Sequence, residues 1–361
     1  MKLYYSKFSL KTLSALNAKQ DLILKNQNIK SNKFIYGLNL KYIFNDTPVY
    51  TSVIFHPELD GLTSDQFILN SNMNLPDVVF QNLKAEFGIK KSNKSLFSLI
   101  DPKLQTHFTI RALDSAKSAL LEVQQKYIKG FKRFKFKMNL SSMLNLESYF
   151  EYLKSNSDVE FIFDFNGTAN IDNFLKLKID SNTLKRCFWE DPIEFNFDKW
   201  TSLTKAGFRL ILDQKVNLSL KNNKFDKLTD NVFEIVSIKP TKENVVQVMD
   251  LYPKSKLLIT TNMGDEMDHR ISAFWANEVF KFYPDRFFGA GLYTRHFFIE
   301  GKDINQESYL VKNSFSEMNQ SIDAAQNEVL KMSGTNNYGW GLDGDMNTRE
   351  WLFLKDVNFE F

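Results

Sequence analysis

The chain has 361 residues, of which 43% are hydrophobic and 25% charged, a balance that is ordinary for a globular protein with one barrel-sized domain and a smaller unit. Its 46 basic side chains nearly balance 43 acidic ones, so the composition argues against a general nucleic-acid binder. No apolar run approaches the ~20 residues of a membrane span, and the single cysteine, Cys187, excludes an intrachain disulfide. We therefore expect a soluble cytoplasmic protein with no nucleic-acid or membrane partner.

The first part of the chain, residues 1–94, is predicted to be a small α+β unit. Three strand-like stretches come first and two helix-like stretches follow, without strict alternation. The predicted strands are 3–10, 33–44 and 49–55, and the predicted helices are 64–69 and 78–87.

Residues 95–300 show a different pattern, in which short β-rich runs alternate with amphipathic stretches of helical period. Such alternation predicts a parallel sheet, and right-handed crossovers make a closed barrel its natural form. The predicted strands are 131–137, 159–164, 187–190, 208–213, 233–239, 256–261 and 287–292, and the helix candidates are 113–127, 145–155, 242–251 and 265–280. The alternation fades in residues 301–361, where a Gly- and Asn-rich stretch at 333–347 has no assigned role.

Five successive β-rich runs end in an ionisable residue. These are Lys137, Asp164, Glu190, Asp213 and Lys239, separated by 27, 26, 23 and 26 positions. Each interval is the length of one strand–loop–helix–loop unit. The carboxyl ends of parallel barrel strands form the mouth in which active sites lie, so we expect these five side chains to meet there. A charged residue exposed to solvent at the end of a strand would explain any one of these positions, but it would not explain five at equivalent places in successive strands.

The residue types at this mouth predict metal-assisted chemistry. Three converging carboxylates repel one another unless a cation lies between them, and oxygen donors without His or Cys favour Mg2+ over Zn2+. Lys135 and Lys137 are two apart on a strand and point to the same face. We expect each ammonium group, together with burial, to lower the pKa of the other lysine toward the range of a general base. Asn166 lies beside Asp164 as a supporting donor.

Two other interpretations of these residues stay open at this point. The stretch 129–137 interleaves Phe with basic residues and would suit a nucleic-acid platform. A barrel that keeps the fold but only binds ligands is the second, although none of the five charged positions is missing.

The strand-end series resembles the enolase superfamily, in the subgroup that includes muconate lactonizing enzyme, and within it the o-succinylbenzoate synthases. The motifs are Lys-x-Lys at 135–137, Asp-x-Asn at 164–166, Glu-Asp-Pro at 190–192, Asp-Gln at 213–214 and Lys-Pro-Thr at 239–241. Residues 56–61 resemble the mobile cap loop of these synthases. The sequence differs from them in Gly-Leu-Tyr-Thr at 291–294, where Tyr293 replaces Asp, and in Thr-Thr-Asn-Met-Gly at 260–264, where relatives carry a serine-rich run.

The resemblance implies a modified TIM barrel, (β/α)7β, with residues 1–94 as an α+β capping domain and residues 301–361 packing back on it. It further implies Mg2+, with Mn2+ as a substitute, and a small-molecule carboxylate substrate; lysine bases with magnesium are established for this superfamily. The implied roles are metal ligands for Asp164, Glu190 and Asp213, catalysis for Lys137 and Lys239, and substrate contacts for Lys135, Asn166, Met263 and Gly264.

The activity implied by the resemblance is dehydration of 2-succinyl-6-hydroxy-2,4-cyclohexadiene-1-carboxylate to o-succinylbenzoate in menaquinone synthesis. An N-succinylamino acid racemase or a dipeptide epimerase remains an alternative, since the five polar positions are common to these enzymes. The oligomeric state stays open. We expect His56, on the cap loop, to be exposed to solvent and Asp191 to be structural.

Overall fold

The computed structural model describes residues 2–12, 34–57, 61–70, 75–94, 96, 99–101, 103–111, 115–214, 216, 232–294, 298–303, 306–307, 340, 342, 346 and 349–357. Within these ranges the strands are β1 Lys2–Thr12, β2 Phe34–Phe44, β3 Thr47–Phe55, β4 Thr106–Arg111, β5 Arg133–Lys137, β6 Glu160–Asp164, β7 Cys187–Glu190, β8 Arg209–Leu212, β9 Ile235–Ile238, β10 Lys256–Thr260, β11 Phe287–Tyr293, β12 Phe298–Asp303, β13 Gln306–Glu307 and β14 Leu352–Asp356.

The helices of the same ranges are α1 Ser64–Asn70, α2 Asp77–Lys91, α3 Ala116–Ile128, α4 Leu146–Ser155, α5 Ile171–Leu175, α6 Ser181–Leu184, α7 Phe197–Lys205, α8 Val245–Leu251 and α9 Glu266–Phe282. Short 3-10 turns lie at Leu140–Asn145 and Pro284–Arg286. None of the helices in the described ranges combines the length and hydropathy that a bilayer span requires.

Strands β1, β2 and β3 form an antiparallel meander that carries the cap. The turn between β2 and β3 has positive φ angles at Asn45 and Asp46, as a tight hairpin turn requires. β12 and β14 both pair with β1, and β13 pairs with β12. One face of the sheet buries an apolar cluster that includes Leu40, Val79 and Leu83, where α2 packs on it.

Strands β4 to β11 close into a barrel in which every neighbouring pair is parallel. The predicted fold class is confirmed, and all seven predicted barrel strands are present. The eighth strand, β4, was missed because its sequence, Thr-His-Phe-Thr-Ile-Arg, contains no continuous apolar run. The three short helices α5, α6 and α7 were also missed, because helices of at most nine residues show too little of the helical period.

An apolar layer closes the barrel interior below its mouth. It consists of one side chain from each of six strands: Ile162, Phe188, Ile211, Ile235, Leu258 and Phe288. Because side chains alternate along a strand, the interior positions two residues further on point into the mouth. In β6, β7 and after β8 those positions are Asp164, Glu190 and Asp213. The outward-facing Phe136, Phe163 and Trp189 pack instead into the main core beneath the helices.

The C-terminal part of the chain contacts both the sheet and the barrel. β14 pairs with β1, and Trp340 is fully buried. Its indole nitrogen donates to the carbonyl of Tyr50 at 3.0 Å, and Arg270 of α9 donates to the Trp340 carbonyl at 2.6 Å. Most of the stretch 333–347 lies outside the described residues, and the predicted domain boundaries at 94 and 300 stay predictions.

Candidate active site

Strand register brings the predicted charged residues into one layer at the barrel mouth. Lys137 lies opposite Asp164 across β5 and β6, and Asp164 lies opposite Glu190 across β6 and β7. Asp213 follows β8, the next strand, and is buried like the other two carboxylates. Thus the three carboxylates occupy consecutive strand ends, at the place the sequence predicted.

The two proposed catalytic lysines enter from opposite walls. Lys137 ends β5 and Lys239 follows β9, and these strands are four steps apart in an eight-strand closed order. Strands four steps apart in such a barrel are diametrically opposed. A ligand at the centre of the mouth therefore has one lysine on each side.

The lysines are paired with the carboxylates rather than free. The Lys135 ammonium bridges Asp164 and Glu190, with Nζ 3.0 Å from Oδ2 and 2.5 Å from Oε1. The Lys137 Nζ lies 2.6 Å from the same Asp164 Oδ2. On the opposite wall, Lys239 pairs with Asp213. The repulsion expected among three carboxylates is thus relieved by ammonium groups in this arrangement.

These contacts set the protonation of the cluster. Burial lowers the pKa of Lys135, but the carboxylates of Asp164, Glu190 and Asp213 outweigh it and hold the pKa above its ordinary value. The expectation of a lowered pKa is therefore wrong for Lys135, because negative neighbours outnumber positive ones. Burial likewise lowers the pKa of Lys239, and Asp213 reverses the shift and raises it.

The carboxylates divide into two kinds. Burial raises the pKa of Asp164, but Lys135 and Lys137 overcome this and hold it below its ordinary value. Burial also raises the pKa of Asp213, but Lys239 and Lys135 overcome this and hold that pKa below its ordinary value. At Glu190, burial raises the pKa to about 8; Lys135 opposes the rise, whereas the negative charges of Asp164 and Asp213 add to it. Glu190 is thus the carboxylate with the most to gain from an added positive charge.

The donor set suits a hard cation, although no metal site is ready-made. Among the described residues, no group of three or more His, Cys, Asp and Glu side chains could hold a metal ion as arranged. The Lys135 ammonium lies between two of the three carboxylates. Yet all donors are oxygens, and Glu190 Oε2 is buried without a hydrogen-bond partner among the described residues. The residues fit Mg2+ only when the ammonium groups of Lys135, Lys137 and Lys239 give up their carboxylate partners.

Two neighbours orient this layer. Asp191 is buried, with φ of 37°, and its carboxylate accepts from the backbone nitrogens of Asp213 at 3.1 Å and Gln214 at 2.8 Å. These bonds fix the chain at Asp213, in keeping with the structural role predicted for Asp191. Asn166 has φ of 50° and donates its backbone N–H to Asp164 Oδ1 at 3.1 Å. It lines a cavity in the barrel mouth, hereafter the cavity, whose walls also include Lys137, Asp213 and Lys239.

The loop after β10 covers one side of the cavity. Met263 and Asn262 line it, and Met263 adopts a φ of 53°. The buried carboxylate of Asp268 accepts from the backbone nitrogens of Asn262 at 3.2 Å and Gly264 at 2.9 Å, and from Thr241 at 2.6 Å. Through these three hydrogen bonds, Asp268 determines the shape of this loop. A side chain at Gly264 would collide with Ile54 of the cap.

His56 contradicts its predicted exposure. It is 5% exposed, lines the cavity, and its Nε2 lies 2.8 Å from the carbonyl oxygen of Asn262. The reason is tertiary: β3 of the cap ends against the barrel loop, which no local pattern reveals. Residues 58–60 of the predicted cap loop lie outside the described residues.

Two further cavity residues belong to no motif of the sequence analysis. His107 and Thr109 belong to β4, the strand that was missed, and both line the cavity with Thr260. The only available signal was the alternation of His107, Thr109 and Arg111 along a six-residue strand.

The basic stretch 129–137 does not form a continuous basic surface. Lys135 and Lys137 point into the barrel, while Arg133 pairs with Glu160 at 2.5 Å and Lys132 with Asp158 at 2.6 Å. Four of the five basic side chains in this stretch, all but Lys129, thus have a protein carboxylate as partner, which argues against the nucleic-acid interpretation.

No family model and no curated protein matches the sequence. Solved structures do match at low identity. A dipeptide epimerase from Enterococcus faecalis V583, complexed with Mg and the dipeptide L-Leu-L-Tyr, is 10% identical, covers 81% of this chain and 89% of its own, and has a TM-score of 0.60. A mandelate racemase/muconate lactonizing protein from Herpetosiphon aurantiacus is 14% identical, with coverages of 82% and 90% and a TM-score of 0.60.

A member of the enolase superfamily from Listeria innocua is 15% identical, covers 84% of this chain and 87% of its own, and also has a TM-score of 0.60. At these identities the match concerns the fold. The chain therefore has the capped-barrel fold found in enolase-superfamily proteins such as racemases, epimerases and lactonizing enzymes.

Proposed function

We propose that the chain is a magnesium-dependent enzyme of the enolase superfamily that removes a proton next to a substrate carboxylate, and that it is an o-succinylbenzoate synthase. The observation that carries this proposal is the approach of Lys137 and Lys239 from opposite walls, with Asp164, Glu190 and Asp213 on the strands between them. The fold by itself would not carry it, because one fold hosts many activities.

Asp164, Glu190 and Asp213 would hold the metal ion. When bound, Mg2+ neutralises the negative charge that builds up on the substrate carboxylate as the adjacent proton leaves. With its amine unprotonated, Lys137 takes that proton from carbon. Lys239 faces the opposite side of the resulting enolate and stabilises it by charge, a role favoured by the raised pKa of its ammonium group.

Dehydration requires a second proton transfer. Lys137, now protonated, lies on the face from which the proton was taken and delivers it to the departing hydroxyl group, so that the C–O bond breaks and water leaves. The electron pair of the enolate forms the new ring double bond, and the ring becomes aromatic. One lysine thus acts first as base and then as acid in a syn elimination.

The second candidate is an N-succinylamino acid racemase or dipeptide epimerase. The placement of one lysine on each side of the mouth favours it, since inversion needs a base on one face and an acid on the other. Lys137 and Lys239 are both paired with a carboxylate, so this pairing does not separate the two candidates, and we prefer the synthase on the resemblance of the strand-end motifs.

The test is turnover of 2-succinyl-6-hydroxy-2,4-cyclohexadiene-1-carboxylate by the purified protein with Mg2+, with a chelator, and with Lys137→Ala. The proposal expects o-succinylbenzoate only when both Mg2+ and Lys137 are present. Racemisation of N-succinyl amino acids without dehydration would replace the synthase by the second candidate. Inactivity on both substrates would refute the proposal.

A further inference from the structure

His107 on β4 is a buried polar residue of the cavity that the mechanism above does not use. Its side chain is 1% exposed, and it lines the cavity together with Lys135, Thr109 and Gly291. Since β4 is the strand diametrically opposite β8, His107 lies across the barrel from Asp213.

The imidazole has unused hydrogen-bonding capacity. Its Nδ1 is buried and has no hydrogen-bond partner in the described part of the chain. Buried polar atoms in folded proteins are nearly always satisfied, by protein, by water or by a ligand. The described residues therefore leave part of the hydrogen-bonding capacity of this cavity-lining ring unused.

The charge of the ring is set by its surroundings. Burial, reinforced by the positive charges of Lys135, Arg133 and Lys137, holds the pKa of His107 well below its ordinary value. The ring is neutral and offers one N–H donor and one nitrogen acceptor. With three cations nearby, the group that this environment favours is an oxygen carrying full or partial negative charge.

The absence of a side chain at Gly291 leaves the space that the His107 ring itself occupies. A Cβ at this position would lie 2.6 Å from His107 Cε1, 2.7 Å from Nε2 and 2.8 Å from the Thr260 methyl group. Any other residue at position 291 would have to displace the imidazole or the Thr260 methyl group. Gly291 and His107 together therefore define one end of the cavity.

We propose that His107 is a substrate-binding residue, whose ring N–H donates to a carbonyl or carboxylate oxygen at the end of the substrate remote from the reacting carboxylate. The inference rests on the proposed function for its substrate class. The reacting carboxylate belongs near Asp164, Glu190 and Asp213, so a substrate that also reaches His107 carries oxygen groups at both ends. Succinylated substrates meet this requirement, whereas a simple monocarboxylate does not.

Two substitutions separate the hydrogen bond from the shape of the side chain. His107→Phe keeps a flat ring and removes the donor, whereas His107→Gln keeps an N–H donor. With the succinylated cyclohexadiene substrate we expect His107→Phe to raise KM about tenfold, the effect of one hydrogen bond to a charged or polar oxygen. The same variant should leave kcat within about threefold, and His107→Gln should recover most of the KM. Unchanged KM in His107→Phe, or equal loss of kcat in both variants, would overturn the proposal.

Nuclear magnetic resonance of the histidine rings tests the contact without turnover. The chain has four histidines, and the spectrum of His107→Gln identifies the resonances of His107. We expect o-succinylbenzoate to shift these resonances and benzoate, which lacks the second oxygen-bearing group, to leave them in place. A shift in a protein that dehydrates nothing would support the His107 subsite while the proposed function fails. His107 resonances that do not shift with o-succinylbenzoate, or that shift equally with benzoate, would overturn the proposed His107 subsite.

Discussion

The two ends of strands β5 and β6 carry the same kind of ion pair for different purposes. At the amino ends, Arg133 lies opposite Glu160, and at the carboxyl ends Lys137 lies opposite Asp164. The Arg133–Glu160 pair is partly open to solvent, with side chains 18% and 33% exposed, whereas the side chains of the Lys137–Asp164 pair are 11% and 0% exposed. Register and charge are alike, so the difference lies in burial and in the choice of the cation.

The two ends of β5 carry different cations, Arg133 at the amino end and Lys137 at the carboxyl end, and the two side chains suit different tasks. Arg133 holds Glu160, donates to the Phe288 carbonyl at 2.5 Å and lies 3.9 Å from the centre of the Phe288 ring, contacts that suit a planar and permanently charged group. Lys137 presents a single nitrogen, which can lose its proton and take up another. If the proposed function holds, one strand pair serves stability at its amino end and chemistry at its carboxyl end, as in other parallel barrels.

The most direct way to break this comparison is to make the same substitution at both ends of β5. Lys137→Met should lower kcat/KM for the proposed dehydration at least about 10³-fold, since it removes the proton-transferring group. Arg133→Met should leave kcat/KM within about threefold. Equal losses of activity in the two variants, measured by steady-state kinetics, would contradict the assignment of chemistry to one end.

Lys239 sharpens the comparison between the two walls of the mouth. If Lys239 acts only by charge, Lys239→Met should slow dehydration about 10²-fold, near the loss found for one electrostatic donor. Exchange of the substrate α-proton with deuterated solvent should persist through Lys137. Loss of that exchange in Lys239→Met, while Lys137→Met retains it, would assign the base to the other wall.

Asp268 differs from the three carboxylates paired with lysines, because its hydrogen-bond donors are neutral: the Thr241 hydroxyl and the backbone N–H groups of Asn262 and Gly264. Burial raises the pKa of Asp268 to about 6, against an ordinary 3.8, while its hydrogen bonds from Thr241, Gly264 and Asn262 oppose the rise. Between those pH values the folded state keeps a proton that the unfolded chain has lost. The free energy of unfolding should therefore fall as pH rises from about 4 to 6.

Denaturant unfolding of the wild type and Asp268→Asn across this window measures the effect. The shift of about two pKa units predicts that the wild type loses on the order of 3 kcal/mol relative to the variant, which cannot titrate at this position. Parallel stability curves for the two proteins would contradict the prediction.

The smallest effect is expected at the amino ends of β8 and β9. Arg209 pairs with Glu234, and both side chains are about one third exposed. Such pairs contribute about 1 kcal/mol or less. Arg209→Met should lower the free energy of unfolding by no more than this and leave turnover unchanged, as thermal unfolding and kinetics would check. A large loss of turnover would mean that the amino end also takes part in the chemistry.

The sequence predicted the barrel from local patterns and the charged layer from spacing. Apolar runs such as Cys187–Glu190 mark their strands, and the strand period brings Asp164, Glu190 and Asp213 together. What local patterns cannot show are contacts between distant segments. His56 is buried by the barrel loop at Asn262, and His107 belongs to a strand that contains no continuous apolar run. The lysine–carboxylate pairing also escaped prediction, because it depends on side-chain positions across three strands.

Magnesium binding tests the central claim most directly, because the account requires the carboxylates of the mouth to exchange their ammonium partners for a metal ion. Isothermal titration of Mg2+ into the wild type, Glu190→Gln and Glu234→Gln compares a carboxylate of the mouth with one at the amino end. We predict one Mg2+ per chain, with affinity at least about 100-fold lower in Glu190→Gln and unchanged in Glu234→Gln. A wild type that binds no Mg2+, or a Glu190→Gln variant that binds it equally well, would contradict the account.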